Sequence, residues 1–524
     1  MSEYNHNVYL AWKPLRNRLV KYDLYDSLAV IRWYFARQQS SLDLPVPSDL
    51  RPHKDIDDFR YFTPFELETL SREVLISSRT QSSPQYTMRN PDHLAKAINL
   101  LKHVDDVVSS QYITQDNVLY ELEVRLAHRQ FKYQTERPNT TSLLRYSKIF
   151  SYPKVEQYVI AKTGLTTKQI FTIGSAFWVS FLRNFRLSIG IVNSSIPGIT
   201  KEHAEKFISY FGKPLEEVRS KLVSTDEHPM NDMFQYAYNS QTAHPLMRIT
   251  YENEESLICP LPTLLVWRFT SGLYYDLYDL KIDGVDFGSV FGLAYEQYIG
   301  DVLKSTFASS STNVYSGEPI TGTNPNTCDW VIESSNDVLL VEAKTKRMSM
   351  IAKTTLTSKA DLEKQLEILS EAVVQVYRSF LAYKNDTYVN PVYRFSSEKK
   401  HYVSVVTLEP WYLMGKQVTD LKKLVATKLQ TLTIDASIIE EVPYVIMSSN
   451  DFESFSYLRK SKSLDSIIQP YIDGQRDRFM GHEFGNYITH NFKDELKGYE
   501  YVFEDELNNV FTIPLKNAQK NTDD

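Results

Sequence analysis

Residues 328–344 read Cys328-Asp329-Trp330-Val331-Ile332-Glu333-Ser334-Ser335-Asn336-Asp337-Val338-Leu339-Leu340-Val341-Glu342-Ala343-Lys344. Two apolar runs separated by a short polar turn predict a β-hairpin, spanning Thr327 to Ala343. With Ser334 to Asp337 as the loop, the register sets Asp329 opposite Glu342, their Cβ atoms ~5 Å apart. Glu342 and Lys344 are two residues apart on one strand, so both leave the same face as Asp329. The run Val338 to Val341 is continuously apolar, which predicts a strand covered on both faces. Two carboxylates brought together beside such strands repel, and burial raises the cost unless a cation lies between them. Oxygen ligands without His or Cys suit Mg²⁺ or Mn²⁺, which keep waters for exchange with substrate. An ammonium at the position of Lys344 would orient a water or stabilise charge on a pentavalent phosphate. The chemistry this predicts is hydrolysis of a phosphodiester.

Working outward, strands alternate with helices, the pattern of an α/β domain. A helix is expected from Phe287 to Leu303 and strand material from Asn313 to Tyr315. After the hairpin a long helix is expected from Lys359 to Tyr383, with Leu362, Leu366, Leu369, Val373, Val376 and Phe380 as its apolar stripe. Strand Tyr402 to Leu408, helix Val418 to Leu432, strand Tyr444 to Ser448 and helix Phe452 to Ile468 follow. A tail hairpin is read in Tyr499 to Phe503 with Val510 to Pro514. Before residue 226 the periodicity is helical throughout. Thr63-Pro64-Phe65-Glu66 is a capping box leading to Ile76, Asn90-Pro91 opens the next helix, and further helices are read at Asn117 to Phe131, Thr167 to Phe185, Lys201 to Phe211 and Leu215 to Val223. Gly212-Lys213-Pro214 reads as a helix stop. The domains expected are therefore 1–225, all helical, for substrate or partner binding; 226–285, a linker with a hairpin of Leu246 to Tyr251 and Leu257 to Leu261; 286–470, an α/β core with a central mixed sheet; and 471–524, an extension.

Asp329 followed by Glu342-Ala343-Lys344, with this order of elements around them, resembles the PD-(D/E)XK (restriction-endonuclease-like) nuclease superfamily. The resemblance covers roughly Phe287 to Ile468, and Cys328 stands where that superfamily commonly has a proline. It implies an αβββαβ core in which Asp329 and Glu342 bind metal and Lys344 is the catalytic lysine. A glutamate on the preceding helix often joins the metal site, and Glu296 stands in the matching place, where it equally suits a solvated helix face. A glutamine on the following helix is common in several branches; Gln375 matches best and Gln365 second. DNA is favoured over RNA because the resembled superfamily acts mostly on DNA. The same association implies a bacterial restriction or anti-phage defence setting.

Two basic segments match a nucleic-acid ligand. Ala343 to Ala360 holds five cations (Lys344, Lys346, Arg347, Lys353 and Lys359) and no acid, where the chain leaves the carboxylates. Val124 to Lys148 holds six cations, Arg125, Arg129 and Lys132 among them, against the single acid Glu136. A solvated face explains this second segment equally well.

Over 524 residues, 58 Lys and Arg against 65 Asp and Glu leave a net charge of -7, so attraction to nucleic acid has to be local. The 42% apolar share is that of a globular chain, and 2 cysteines match a reducing cytoplasm. The best uncharged candidate for a membrane span, Gln169 to Leu182, has 14 residues, short of the ~20 a bilayer requires, and predicts a buried helix. Neither a phosphate-binding Gly-x-x-x-x-Gly-Lys-Ser/Thr loop nor a His-Glu-x-x-His zinc motif occurs. The reading is a Mg²⁺-dependent endonuclease, with a partner or a second copy engaged through the helical half. The alternatives are a non-catalytic nucleic-acid-binding or scaffold subunit that keeps the nuclease-like fold, and a sensor whose function lies in the helices.

Overall fold

The computed structural model describes the chain except residues 1–2, 41, 49, 51–60, 81–84, 111–125, 190–195, 225–238, 318–326, 348–358, 388–392, 414, 478–482 and 507–524. The described residues form two compact units, one of those up to Phe287 together with Glu506, the other of those from Gly288 to Asp505. No helix among the described residues is long and apolar enough to cross a membrane.

The first unit is mostly helical. Its helices are α1 (Glu3–Leu19), α2 (Leu24–Gln39), α3 (Pro64–Ser77), α4 (Pro91–Ser110), α5 (Thr140–Phe150), α6 (Pro153–Thr163), α7 (Thr167–Arg183), α8 (Lys201–Phe211), α9 (Leu215–Ser224), α10 (Pro262–Phe269) and α11 (Leu273–Leu277), with a single further turn at Lys132–Thr135. Helix α3 starts at the predicted capping box, the Glu66 carboxylate accepting from the Thr63 N–H at 2.6 Å. The uncharged stretch is α7, whose Phe171, Ile173 and Phe181 are fully buried.

Three expectations for this half need correction. It is not all helical: β1 (Arg186–Ser188) and β2 (Gly212–Pro214) join β3 (Leu246–Tyr251) and β4 (Glu254–Ile258) in a sheet of order β1-β4-β3-β2. Strands of three residues carry no readable period, and Gly212 both ends α8 and starts β2, parallel to Leu246–Arg248. Of the helix expected at Asn117 to Phe131, the residues up to Arg125 lie outside those described, and Ala127–Phe131 is a π-helical turn. The stretch after 238 is more than a linker, because the buried helix α10 and the hairpin β5 (Lys281–Ile282) with β6 (Val285–Asp286) belong to the same compact unit. The β3–β4 turn places Glu252 at φ 52° and Asn253 at φ 64°, the two left-handed residues of a type I′ hairpin.

The second unit is built on a five-stranded mixed sheet of β7 (Asn313–Ser316), β8 (Trp330–Glu333), β9 (Asp337–Lys344), β10 (Lys400–Thr407) and β11 (Tyr444–Ser448), in the order β11-β10-β9-β8-β7. β7, β8 and β9 are antiparallel neighbours, while β10 runs parallel to both β9 and β11. The helices are α12 (Phe287–Phe307), α13 (Lys359–Lys384), α14 (Lys416–Thr431), α15 (Ile438–Glu441), α16 (Ser449–Leu458), α17 (Leu464–Asp477) and α18 (Phe484–Asn491), with a single further turn at Lys493–Leu496. All six residues of the stripe predicted for α13 are buried, as are Val338, Leu339, Leu340 and Val341 of β9. Gly300 lets α12 lie against Trp330: a Cβ there would fall 2.0 Å from the indole ring.

The helix expected from Phe452 to Ile468 is two, α16 and α17. At their junction the buried Asp337 carboxylate accepts from the Leu464 N–H at 2.9 Å and pairs with Arg459 at 3.3 Å. A tertiary carboxylate thus caps α17, a partner that lies outside local sequence. In the expected tail hairpin, Val510 to Pro514 lies outside the described residues. Tyr501 and Phe503 are not strand residues: Tyr501 is hydrogen-bonded to the Tyr298 hydroxyl at 2.6 Å, and Phe503 packs on the Tyr298 ring.

Candidate active site

The hairpin register decides the site. Trp330 pairs with Val341 and Val331 with Leu340, and one further step of the ladder sets Asp329 against Glu342. The Ala343 N–H donates to Asp329 Oδ2 at 2.7 Å, which fixes that carboxylate at the end of β9. On the same face, the Lys344 ammonium is ion-paired with Glu342 Oε1. The Glu342 side chain is completely buried, and its Oε2 has no hydrogen-bond partner among the described residues. Glu296 is held nearby because the Trp330 indole donates to its backbone carbonyl at 2.9 Å.

The charges of these four residues act on one another. Burial pushes Asp329 up to about 8, helped by the negative charges of Glu342 and Glu296 and opposed by the Ala343 amide and Lys344. Glu342 is also raised, by burial first, with Lys344 opposing and Glu296 adding to the rise. Glu296 is raised by burial against the pull of Lys344. Three carboxyl groups share one ammonium in a place where water is scarce, so each ionised carboxyl makes ionisation of the others less favourable.

The donor set fits a hard divalent cation. Among the described residues no group of three or more His, Cys, Asp or Glu side chains is placed to hold a metal, so a closed protein cage is not present. Mg²⁺ is normally held by one or two carboxylates with waters completing the shell. Asp329 and Glu342 supply two, and the orphaned Glu342 Oε2 is an acceptor with an unmet need for a positive partner. Glu296 shares the field of these carboxylates but forms no such group with them.

The remaining predicted residues separate. Lys346 is exposed beside the site. Arg347 is not available to a phosphate as expected, because its guanidinium is buried against Glu409 at 3.0 Å. That pair joins the Leu408 N–H···O=C Lys344 bond of 3.2 Å in tying the chain after β9 to the chain after β10. Glu409 was unreadable as a partner because the pairing depends on the parallel β9–β10 register. Lys353 and Arg125 lie outside the described residues, and of Lys359 only its place as the first residue of α13 is described. Gln375 is half-buried on α13, and its backbone carbonyl accepts from the Ser379 hydroxyl. Two residues on, the Tyr377 hydroxyl donates to the Val442 carbonyl near the start of β11.

Arg129 and Lys132, in the first unit, are turned inward rather than presented as a basic face. Arg129 donates to Thr69 Oγ1, and Lys132 lies 3.5 Å from the buried Glu68 carboxylate. Burial pushes Glu68 up, but the Lys132 charge, the Tyr133 hydroxyl and the Arg129 charge outweigh it and hold the carboxyl below its ordinary range. These cations neutralise an internal carboxylate.

No protein-family model, curated protein or solved structure matches the chain.

Proposed function

We propose that the protein is a divalent-metal-dependent nuclease that hydrolyses phosphodiester bonds, DNA being the favoured substrate and bacterial restriction or anti-phage defence the setting. The observation that carries this reading is the register that sets Asp329 against Glu342 with Lys344 on the same face. The order α12-β7-β8-β9-α13-β10 supports it as well, since it follows the αβββαβ order of the PD-(D/E)XK superfamily that the sequence resembles.

In this mechanism Asp329 and Glu342 hold Mg²⁺ or Mn²⁺, which when bound supplies Lewis-acid activation of the phosphodiester and a more acidic water. Lys344, positioned by Glu342 Oε1, orients the attacking water and stabilises charge developing on phosphorus-bound oxygens. Ala343 fixes the Asp329 carboxylate through its backbone N–H. Glu296 adds negative field at the same edge, and Lys346 contributes an exposed cation to the incoming backbone. A non-catalytic binding or scaffold subunit is the second reading, favoured by the absence of a three-residue metal group among the described residues.

Cleavage of plasmid and linear DNA, and of RNA, in Mg²⁺, Mn²⁺ or EDTA separates the two. Metal-dependent cutting that disappears in Lys344→Ala and Asp329→Ala supports the nuclease. Cutting unchanged in either variant rejects the site.

A further inference from the structure

A second feature lies beside this site. The second unit holds a cavity of about 360 Å³ around β11, which is the edge strand of the sheet. Thr407, at the carboxyl end of β10, lines it and is the register partner of Lys344. The Thr407 end of the cavity therefore lies about one strand spacing, ~5 Å, from the backbone of Lys344, while its other end reaches Pro443 and Tyr444 at the start of β11. Ligands of open α/β sheets characteristically sit at this carboxyl edge.

Its walls specify a ligand. Trp411, Tyr444, Tyr471 and Phe484 provide flat aromatic surfaces. Trp411 is 2% exposed, and its indole N–H has no acceptor among the described residues, a buried donor left for something else to satisfy. Glu483, which accepts from the Tyr412 N–H at 3.1 Å, and Glu440, ion-paired with Lys422, bring carboxylates to the same walls, and a carboxylate accepts from several donors at once. A ligand that fits is flat, offers an acceptor to the indole and carries N–H donors for a carboxylate. The clasp of Arg347 with Glu409 ties the chain leaving Lys344 to the segment that continues into Trp411, so site and wall are held in fixed relation.

We propose that this cavity binds a nucleobase, turned out of the strand whose phosphodiester lies at Lys344. The inference rests on the nuclease reading for the source of the base, and on the cavity alone for its chemistry. A base with an exocyclic amine (adenine, guanine or cytosine) adds a donor to Glu483 or Glu440 beside the Tyr412 N–H and Lys422 they already bind, whereas thymine and uracil bring a carbonyl in place of that amine. Extruding the base costs stacking and is easiest from single-stranded or mismatched positions, which makes the cavity a selector for such substrates.

The test uses the full chain in EDTA, where no cleavage occurs. Single-stranded oligonucleotides carrying one 2-aminopurine are titrated by fluorescence, with dAMP, dGMP, dCMP and dTMP as separate ligands. The expected result is a saturable emission change with the oligonucleotide and discrimination against dTMP. Val418→Trp, which fills the cavity, weakens binding ten-fold or more, and Trp411→Phe, which keeps a ring and removes the donor, weakens it about five-fold. Thermal unfolding of each variant identifies those that are folded. Lys344→Ala retains the emission change at saturation. Mononucleotides binding as tightly as the oligonucleotide assign the same base site to a free nucleotide. An absent emission change in the folded wild type, or one undiminished in folded Val418→Trp, overturns the proposal. Base binding without any metal-dependent cleavage leaves the cavity standing and removes the nuclease reading.

Discussion

Asp329 and Glu342 stand opposite each other at the open end of the β8–β9 ladder, and the Asp329 carboxylate is pinned by the N–H of the residue that follows Glu342. Strand pairing thus forces two carboxylates together, and Lys344 compensates only one of them directly. The proposed chemistry makes each of the three indispensable. Asp329→Asn, Glu342→Gln and Lys344→Ala are each expected to lower DNA cleavage by about 10²–10³-fold, as for loss of one electrostatic contact to a transition state. Near-ultraviolet circular dichroism should show the fold retained.

The same crowding carries a stability signature. In EDTA, Glu342→Gln removes a buried charge whose second oxygen has no partner, so unfolding should shift upward by about 1 kcal/mol, or about 2–4 °C for a unit of this size. Millimolar Mg²⁺ should stabilise the wild type and leave Glu342→Gln nearly unmoved. Differential scanning calorimetry with and without the cation decides it; equal Mg²⁺ responses in both proteins count against Glu342 as a ligand.

Arg347 and Lys346 are adjacent in sequence and opposite in role. Arg347→Met leaves Glu409 buried without its cation and is expected to cost about 3–5 kcal/mol in urea unfolding. Lys346→Ala should be neutral in that assay but reduce the slope of log affinity for DNA against log salt by about 1. The reverse pattern would assign the phosphate contact to Arg347.

His401 sets an acid limit. Burial of the ring depresses its pKa to about 4, the backbone of Lys399 acting against that shift and the Lys399 charge with it, while the Tyr393 hydroxyl lies 3.0 Å from its Nε2. The unfolded chain takes up a proton near pH 6.5 that the folded one resists until about 4. Stability is therefore complete above pH 6.5 and lost as pH falls through this window, by about 1 kcal/mol once solvent screening is allowed for. His401→Phe should flatten that part of the pH–stability curve measured by urea unfolding.

The sequence by itself determined the hairpin, its register and the shared face of Asp329, Glu342 and Lys344, because a period of two and a short polar turn leave one pairing that buries the apolar run. It determined α13 as well, whose stripe repeats often enough to be read. Only the tertiary structure decided where isolated charges go. Arg347 and Lys346 look alike in sequence, yet the parallel β9–β10 register brings Glu409 to Arg347 and leaves Lys346 in water. Arg129 and Lys132 looked like a surface patch until α3 placed Glu68 beside them. Asp337, read as a turn residue, caps a helix 127 residues away. β1 and β2 escaped notice for a related reason, since three-residue strands are stabilised by the neighbours they pair with. Periodicity is a local consequence of burying one face. Charge pairing depends on which elements meet, and one stretch of chain does not encode its neighbours.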